Sequence, residues 1–324
     1  MTSSGQADSA PAFEVLTMGR VSVDIYPQQI GVRLEDVTTF GKYLGGSPTN
    51  VAVAAARHGR RAALITRTGA DPFGRFVHQA LRSFHVDDRF VTSVPTMPTP
   101  VTFCEIFPPD DFPLYFYRFP TAPDLQIVAE ELDLAAIAAA DVFWVTVTGL
   151  CQEPSRSATM AALEARGRDG ITVLDLDYRA MFWSSAAEAR DAITEALQHV
   201  TVAVGNLEEC AVALGESEPA AAASALLSAG VELAIVKQGP AGVLGARSDE
   251  TVTVSPIHVK VVNGLGAGDA FGGALCHGLL ARWDTERLLR FANAAGAVVA
   301  GRVACADAMP TTAELDAVLA GASL

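Results

Sequence analysis

The chain has 324 residues, half of them hydrophobic, with a formal net charge of −14. This length and apolar content suffice for one large buried core, while the acidity opposes nonspecific binding to nucleic acid or anionic membranes, so an anionic ligand needs local cations of its own. Five scattered cysteines without a C-x-x-C pair argue against a disulfide frame or a zinc site and fit a reducing cytoplasm.

Met1 to Ala12 is small and polar, without the basic start and apolar stretch of a secretory signal, and reads as a disordered tail. Phe13 to Met18 alternates as a first strand, and Gly19 to Asp24 follows as a glycine turn leading to an acid. At a strand end Asp24 could accept hydrogen bonds from ligand hydroxyls, or it could be a solvated loop aspartate. Gly45-Gly46 opens a paired-glycine turn before an alanine-rich helix that carries Asn50 and stops at Gly59.

Val101 to Phe107 and Leu114 to Phe119 alternate around a Pro-Pro-Asp-Asp turn, which predicts a hairpin. Arg118 at its end could clamp a carboxylate through two parallel hydrogen bonds, or be an exposed arginine on a sheet. From Leu132 onward strands and helices alternate, which predicts a mostly parallel sheet covered on both faces. Apolar runs such as 134–140 are too short to span a bilayer. Asp175-Leu176-Asp177-Tyr178-Arg179 overlaps the end of the predicted strand Ile171 to Leu176, Asn206-Leu207-Glu208-Glu209 follows the next, and Gln238 to Val243 follows the strand ending in Lys237.

Val262 to Phe271 reads V-N-G-L-G-A-G-D-A-F, and the apolar run beyond it is a buried helix. Gly266, Ala267 and Gly268 therefore sit where a helix begins, and their unpaired backbone N–H groups, with the helix dipole, make an anion hole. Asp269 beside that hole would repel a phosphate, but it could take a proton from a hydroxyl attacking one. The alternative is a glycine turn capped by an ordinary aspartate.

Gly266 to Phe271 resembles the C-terminal signature D-T-x-G-A-G-D-[AS]-F of the PfkB/ribokinase family of carbohydrate kinases, and Gly45 to Ala52 is similar to its N-terminal signature G-G-x-x-x-N-x-A. The resemblance runs in chain order from Gly19 to Pro310. It implies a ribokinase-like three-layer α/β/α sandwich with a central mostly parallel sheet and a small β lid, spanning 13–324 with lid segments at about 20–44 and 95–120. It implies Asp269 as the catalytic base, with Asp24, Gly45, Gly46, Asn50, Arg118 and Arg179 on the substrate side and Lys42 as a weaker third cation. On the nucleotide side it implies Asn206, Glu209, Lys237, Gly239, Gly242 and Asn293, with Glu209 reaching Mg2+ through water. ATP and Mg2+ are the implied cofactors, with a monovalent cation as a further candidate and a homodimer through the lid. Asn263 and Gly264 depart from the signature, standing where the family has Asp and Thr, and Asp177 stands for a usual Asn. The segments 19–31 and 40–46 look most like the branch that phosphorylates a keto sugar acid in inositol catabolism. Kinases of 2-keto-3-deoxygluconate or fructose would share the phosphate side, and a catalytically silent sugar-binding regulator is the alternative from another class.

Overall fold

The computed structural model describes residues 13–322; the tail expected at 1–12 lies outside the described residues. Alternation along the strands decides the architecture. In Val142–Thr146, Val142 and Trp144 point into one apolar cluster while Phe143 and Val145 point into another, and Val202–Asn206 and Leu233–Lys237 repeat the pattern. With a side-chain period of two, a sheet apolar on both faces must be covered on both. The helices Ser47–Arg57, Ala267–Leu280 and Thr285–Ala300 cover one face; Ser155–Arg166, Ala186–Leu197 and Pro219–Ser228 cover the other. The result is the expected α/β/α sandwich.

From one edge the sheet runs Thr251–Val254, Val243–Ala246, Leu233–Lys237, Val202–Asn206, Ile171–Asp175, Val142–Thr146, Val15–Met18, Ala62–Gly69 and Val86–Asp87. All neighbours pair in parallel except at the edge formed by the 243–246 and 251–254 strands, and the short Val91–Val94 strand also pairs with Ala62–Gly69. Met18, Asp175, Asn206 and Lys237 thus end their strands at one rim, where open parallel sheets bind ligands.

A second sheet of four strands lies over that rim, in the order Phe40–Gly45, Ser22–Pro27, Val101–Cys104, Leu114–Tyr117. The expected hairpin is its last pair, with Val101 opposite Tyr117. Asp24, Tyr26, Thr102, Leu114 and Phe116 face inward onto a cavity. The outer face carries Phe40, Phe103, Tyr115 and Tyr117, with Phe103 edge-on to both Phe40 and Tyr117. Among the described residues no helix is long and apolar enough to cross a membrane.

Candidate active site

Two adjoining cavities open at the rim. The polar one, of about 400 Å³, is lined by Arg20, Asp24, Asn50, Asp175, Asp177, Arg179, Asn206, Glu209, Lys237 and the 264–269 loop. The other, of about 560 Å³, is mainly apolar, with Val243, Pro256, Ile257, Val259, Phe271, Asn293 and Ala297 among its walls. Lys237, Gly239, Gly264, Ala267 and Gly268 border both. The helix N-terminus therefore stands at the junction.

Gly266 caps that helix in a left-handed conformation, φ 81°, and a Cβ there would lie 2.7 Å from Cys305 Sγ. Only glycine combines that backbone with that approach. In the first turn the N–H of Ala267 makes a long bond to Gly264 O, 3.5 Å, while those of Gly268 and Asp269 have no carbonyl one turn back, and all three residues line the cavity at the positive end of the dipole. Lys237 adds an ammonium, 3.3 Å from where a Cβ of Gly268 would stand. Burial works against that ammonium, but the carboxylates of Asp175, Glu209, Asp177 and Asp269 outweigh it and hold its pKa above the ordinary value.

Asp269 lies in the first helical turn. Burial pushes its carboxyl up to about 6, while a hydrogen bond donated by Asn50 Nδ2 to Oδ2, 2.7 Å long, restrains the rise. Asn50 is placed by the other glycine-led helix. Gly46, φ 101°, passes so close to Arg20 that a Cβ would be 2.4 Å from the Arg20 carbonyl oxygen. The two helices then touch backbone to backbone: a Cβ on Gly273 would be 2.2 Å from Ala54 Cβ, and one on Gly272 would be 2.7 Å from Trp144.

Asp24 does not end a strand of the central sheet as expected; it sits within the lid strand Ser22–Pro27, because the chain crosses over at Gly19, φ 136°, and pairs anew. Its carboxylate accepts from Ser22 Oγ at 2.6 Å and from the Tyr26 hydroxyl at 3.1 Å. Burial raises its pKa against those bonds and the charge of Arg20. Gly45 makes room for it, since a Cβ there would overlap the Asp24 carboxylate at 2.1 Å.

Asn206 and Glu209 close a reciprocal capping box: Asn206 Oδ1 accepts from Glu209 N–H at 2.9 Å and Glu209 Oε2 from Asn206 N–H at 2.7 Å. Glu209 is buried and lines the polar cavity, so this helix-start acid is not an exposed one. Gly242, φ 97°, lets the 239–242 loop meet the next strand, where a Cβ would be 2.1 Å from Val254 O. Asn293 anchors the apolar cavity by donating to Ser255 O at 2.9 Å.

Two expected cations are elsewhere. Arg118 is buried in a two-pronged pair with Asp124, 2.8 and 3.3 Å, beside the Phe182 ring, and does not line the cavity; its charge is already neutralised. Lys42 lies over the Phe76 ring at 3.9 Å, also outside the cavity. Arg179 does line it, with Nη2 2.7 Å from Asp177 Oδ1. Sequence reasoning missed Arg20 and Asp175. Asp175 ends its strand and Arg20 stands two residues beyond the end of another, both inside motifs already singled out, so position at the rim was the available signal. Burial raises the Asp175 pKa, the Lys237 ammonium opposes this, and Asp177, Glu209 and Asp269 add to it.

Both departures from the signature have a structural cause. Asn263 is fully buried; its Nδ2 donates to Val303 O at 2.6 Å and its Oδ1 accepts from Leu265 N–H at 3.1 Å, a donor-and-acceptor task that a carboxylate cannot perform. Gly264 faces the lid, and a Cβ there would come within 2.9 Å of the Phe112 ring.

Among the described residues no three His, Cys, Asp or Glu side chains form a ready metal cage. Mg2+ needs no such cage, since it keeps its waters and is held by one or two carboxylates and substrate phosphates. Glu209, Asp175 and Asp177 all line the polar cavity, so carboxylates of that kind are available there.

The chain is similar to 5-dehydro-2-deoxygluconokinase of Clostridium tetani, 31% identical over 316 residues that cover 95% of this chain and 93% of that one. It is 30% identical to the protein of the same name from Shouchella clausii, over 97% and 98% of the two chains. Among solved structures, a Vibrio cholerae fructokinase double mutant with fructose, ADP and potassium ion bound superposes with a TM-score of 0.81 at 27% identity, over 95% of this chain and 99% of that one. An Escherichia coli ribokinase-type chain in complex with ATP and Mg2+ reaches 0.85 at 24% identity, over 95% and 99%, and shows the common ribokinase-like fold. The sequence profile of the pfkB family of carbohydrate kinases matches residues 12–312, and the chain belongs to that family.

Proposed function

We propose that the protein transfers the γ-phosphoryl group of ATP to the C6 hydroxyl of 5-dehydro-2-deoxygluconate, a sugar acid of inositol catabolism. The observation that carries this reading is Asp269, a buried carboxylate shifted up to about 6, hydrogen-bonded by Asn50 and set beside a helix N-terminus at the junction of a polar and an apolar cavity. A base with such a pKa is deprotonated at neutral pH yet basic enough to draw a proton from a hydroxyl in the transition state. The near full-length likeness to proteins named for this activity supports the choice of sugar.

In this reading the apolar cavity takes adenine beside Asn293, and the phosphates run past Gly239 and Gly242 to Lys237. The sugar lies between Asp24 and Asp269, with Gly45, Gly46 and Asn50 against it. Asp269 accepts the C6 proton as the oxygen attacks in line, and the 266–269 backbone with Lys237 receives the charge that spreads over the transferring group. Glu209 would hold Mg2+ through water, and the ion would supply further neutralisation of the phosphates.

The same proposal assigns 13–324 to one kinase domain with the lid at about 20–44 and 95–120, and places the protein in the cytoplasm. It has two copies joined through the aromatic outer face of the lid, since Tyr115, Tyr117 and Phe40 are exposed there. A strictly monomeric mass at micromolar concentrations in sedimentation would overturn the dimer. Dependence on a monovalent cation is tested by exchanging K+ for a tetraalkylammonium; Asn263 adds no charge to such a site, its amide being committed to Val303 and Leu265.

A coupled ADP-release screen over sugar acids and neutral sugars tests the main reading. Preference for 5-dehydro-2-deoxygluconate is expected. Equal or better turnover of fructose or 2-keto-3-deoxygluconate would replace it, and no ADP release with any sugar would leave a silent sugar-binding regulator.

A further inference from the structure

The geometry points to Arg20 as the group that receives the carboxylate of an acid substrate. The inference rests on the sugar-acid reading above and names the side chain that makes the choice. Each other cation near the site is engaged. Arg118 is held by Asp124, Arg179 lies 2.7 Å from Asp177, and Lys237 sits among acidic side chains. Arg20 differs: it lines the cavity, its side chain is 8% exposed, and it makes no side-chain hydrogen bond among the described residues. Its nearest carboxylate oxygen, on Asp177, is 3.9 Å away against 2.7 Å for Arg179, and its fully buried Nε, like that of Arg179, has no partner. A buried guanidinium without hydrogen-bonded partners is costly, so the position calls for an anion that comes and goes with the ligand.

The guanidinium is also held in place. Thr49 Oγ1 donates to the Arg20 carbonyl oxygen at 3.0 Å, fixing the backbone just beyond the first central strand. The Phe116 ring lies 5.3 Å over the guanidinium from the lid side and is itself packed edge-on against Phe182. A flat fork laid against a ring presents its N–H edge in one plane, which suits a carboxylate taken through two parallel bonds. The charge of Arg20 is felt by both Asp24 and Asp269, so it stands beside the path from the sugar-side acid to the base. The carboxylates of Asp24, Asp175, Asp177, Glu209 and Asp269 line the same cavity and would repel an acid. A neutral sugar needs no such cation, and for it Arg20 would remain unpaired.

The test compares wild type, Arg20→Gln and Arg20→Lys in steady-state kinetics with 5-dehydro-2-deoxygluconate, fructose and ATP, with a thermal melt of each. For Arg20→Gln the KM for the acid should rise roughly ten- to a hundredfold, and the ratio of kcat/KM for acid over fructose should fall by the same factor. Arg20→Lys, which keeps the charge and loses the fork, should fall between the two, and it carries the test if the glutamine variant does not fold. An unchanged KM for the acid overturns the inference, as does a parallel rise for acid and fructose, which would make Arg20 a support of the site as a whole. Failure of wild type to phosphorylate the acid is a different result and removes the sugar-acid reading itself.

Discussion

The floor of the cavity and the lid above it are built in opposite ways. The floor is two helix starts pressed together through glycine, with Gly273 against Ala54 and Asn50 donating to Asp269, and each start is a contiguous motif of fewer than ten residues. The lid is four short strands from two distant segments, and its inner face is completed by partners far away in sequence, such as Tyr26 with Cys305 at 2.8 Å. In the proposed reading the difference separates two tasks. Phosphoryl transfer needs one geometry whatever the sugar, so a rigid local device serves it; sugar choice depends on side chains gathered from several elements, which can be exchanged one at a time.

The comparison breaks most sharply at Asp269. Asp269→Asn should lower kcat by roughly 10²–10⁴ while ATP still binds, because shape is kept and the base is lost. Near-normal turnover would remove Asp269 from that role. The same variant bears on stability. Burial raises the folded pKa from the ordinary 3.8 to about 6, so the folded state holds a proton that the unfolded chain releases, and stability falls as pH rises through that window. Above pH ~7 the asparagine variant should therefore melt higher than wild type. A lower melting temperature would contradict the buried-charge account.

Arg118→Ala should act on the fold and leave sugar choice alone. Removing one partner of a buried pair leaves Asp124 unpaired and costs about 3–5 kcal/mol, read as a shift in the denaturant midpoint. A large rise in KM for the acid without destabilisation would restore Arg118 as a substrate clamp. Gly273→Ala tests the floor: a methyl group driven into Ala54 should cost about 1–3 kcal/mol and lower kcat more than KM by moving Asn50 off Asp269.

The pH profile sharpens the contrast further, since kcat/KM should fall about tenfold per unit below pH ~6 as Asp269 takes up a proton, and level off above it. A profile flat down to pH ~4 would assign the base elsewhere. The smallest effect expected is at the seam between the regions. Gly264→Thr, which crowds the Phe112 ring, should raise KM for the sugar a few-fold, and Phe112→Ala should relieve it. No relief in the double variant would mean that the two positions do not communicate.

This division also explains what could be read in advance. Alternating strands and helices, the two-faced sheet and both helix starts depend on neighbours within a few residues, and they stand where the pattern puts them. The cations do not. Arg118 ends an aromatic strand that lies over the site, yet the six residues to Asp124 bring a carboxylate back onto it. Lys42 points away on the alternate face of its strand, over Phe76. Arg20 looked like part of a glycine turn because the change of direction at Gly19 and the closing of Phe116 over the guanidinium are tertiary facts. Asn263 and Gly264 stand out in the sequence only as departures from the signature; one is a two-way hydrogen-bond bridge and the other is space for a ring.

Gly45 and Asp24 occupy one volume: the carboxylate lies where a side chain at 45 would begin, on the paired strands Phe40–Gly45 and Ser22–Pro27. The two positions are consequently bound as a unit of inheritance. A lineage that puts even a methyl group at 45 evicts the acid from the cavity, while one that shortens Asp24 frees 45 to vary. In a drifting duplicate of this gene, an alanine or serine at 45 would thus be an early mark that sugar phosphorylation is no longer under selection, readable even while Asp269 and its glycines remain intact.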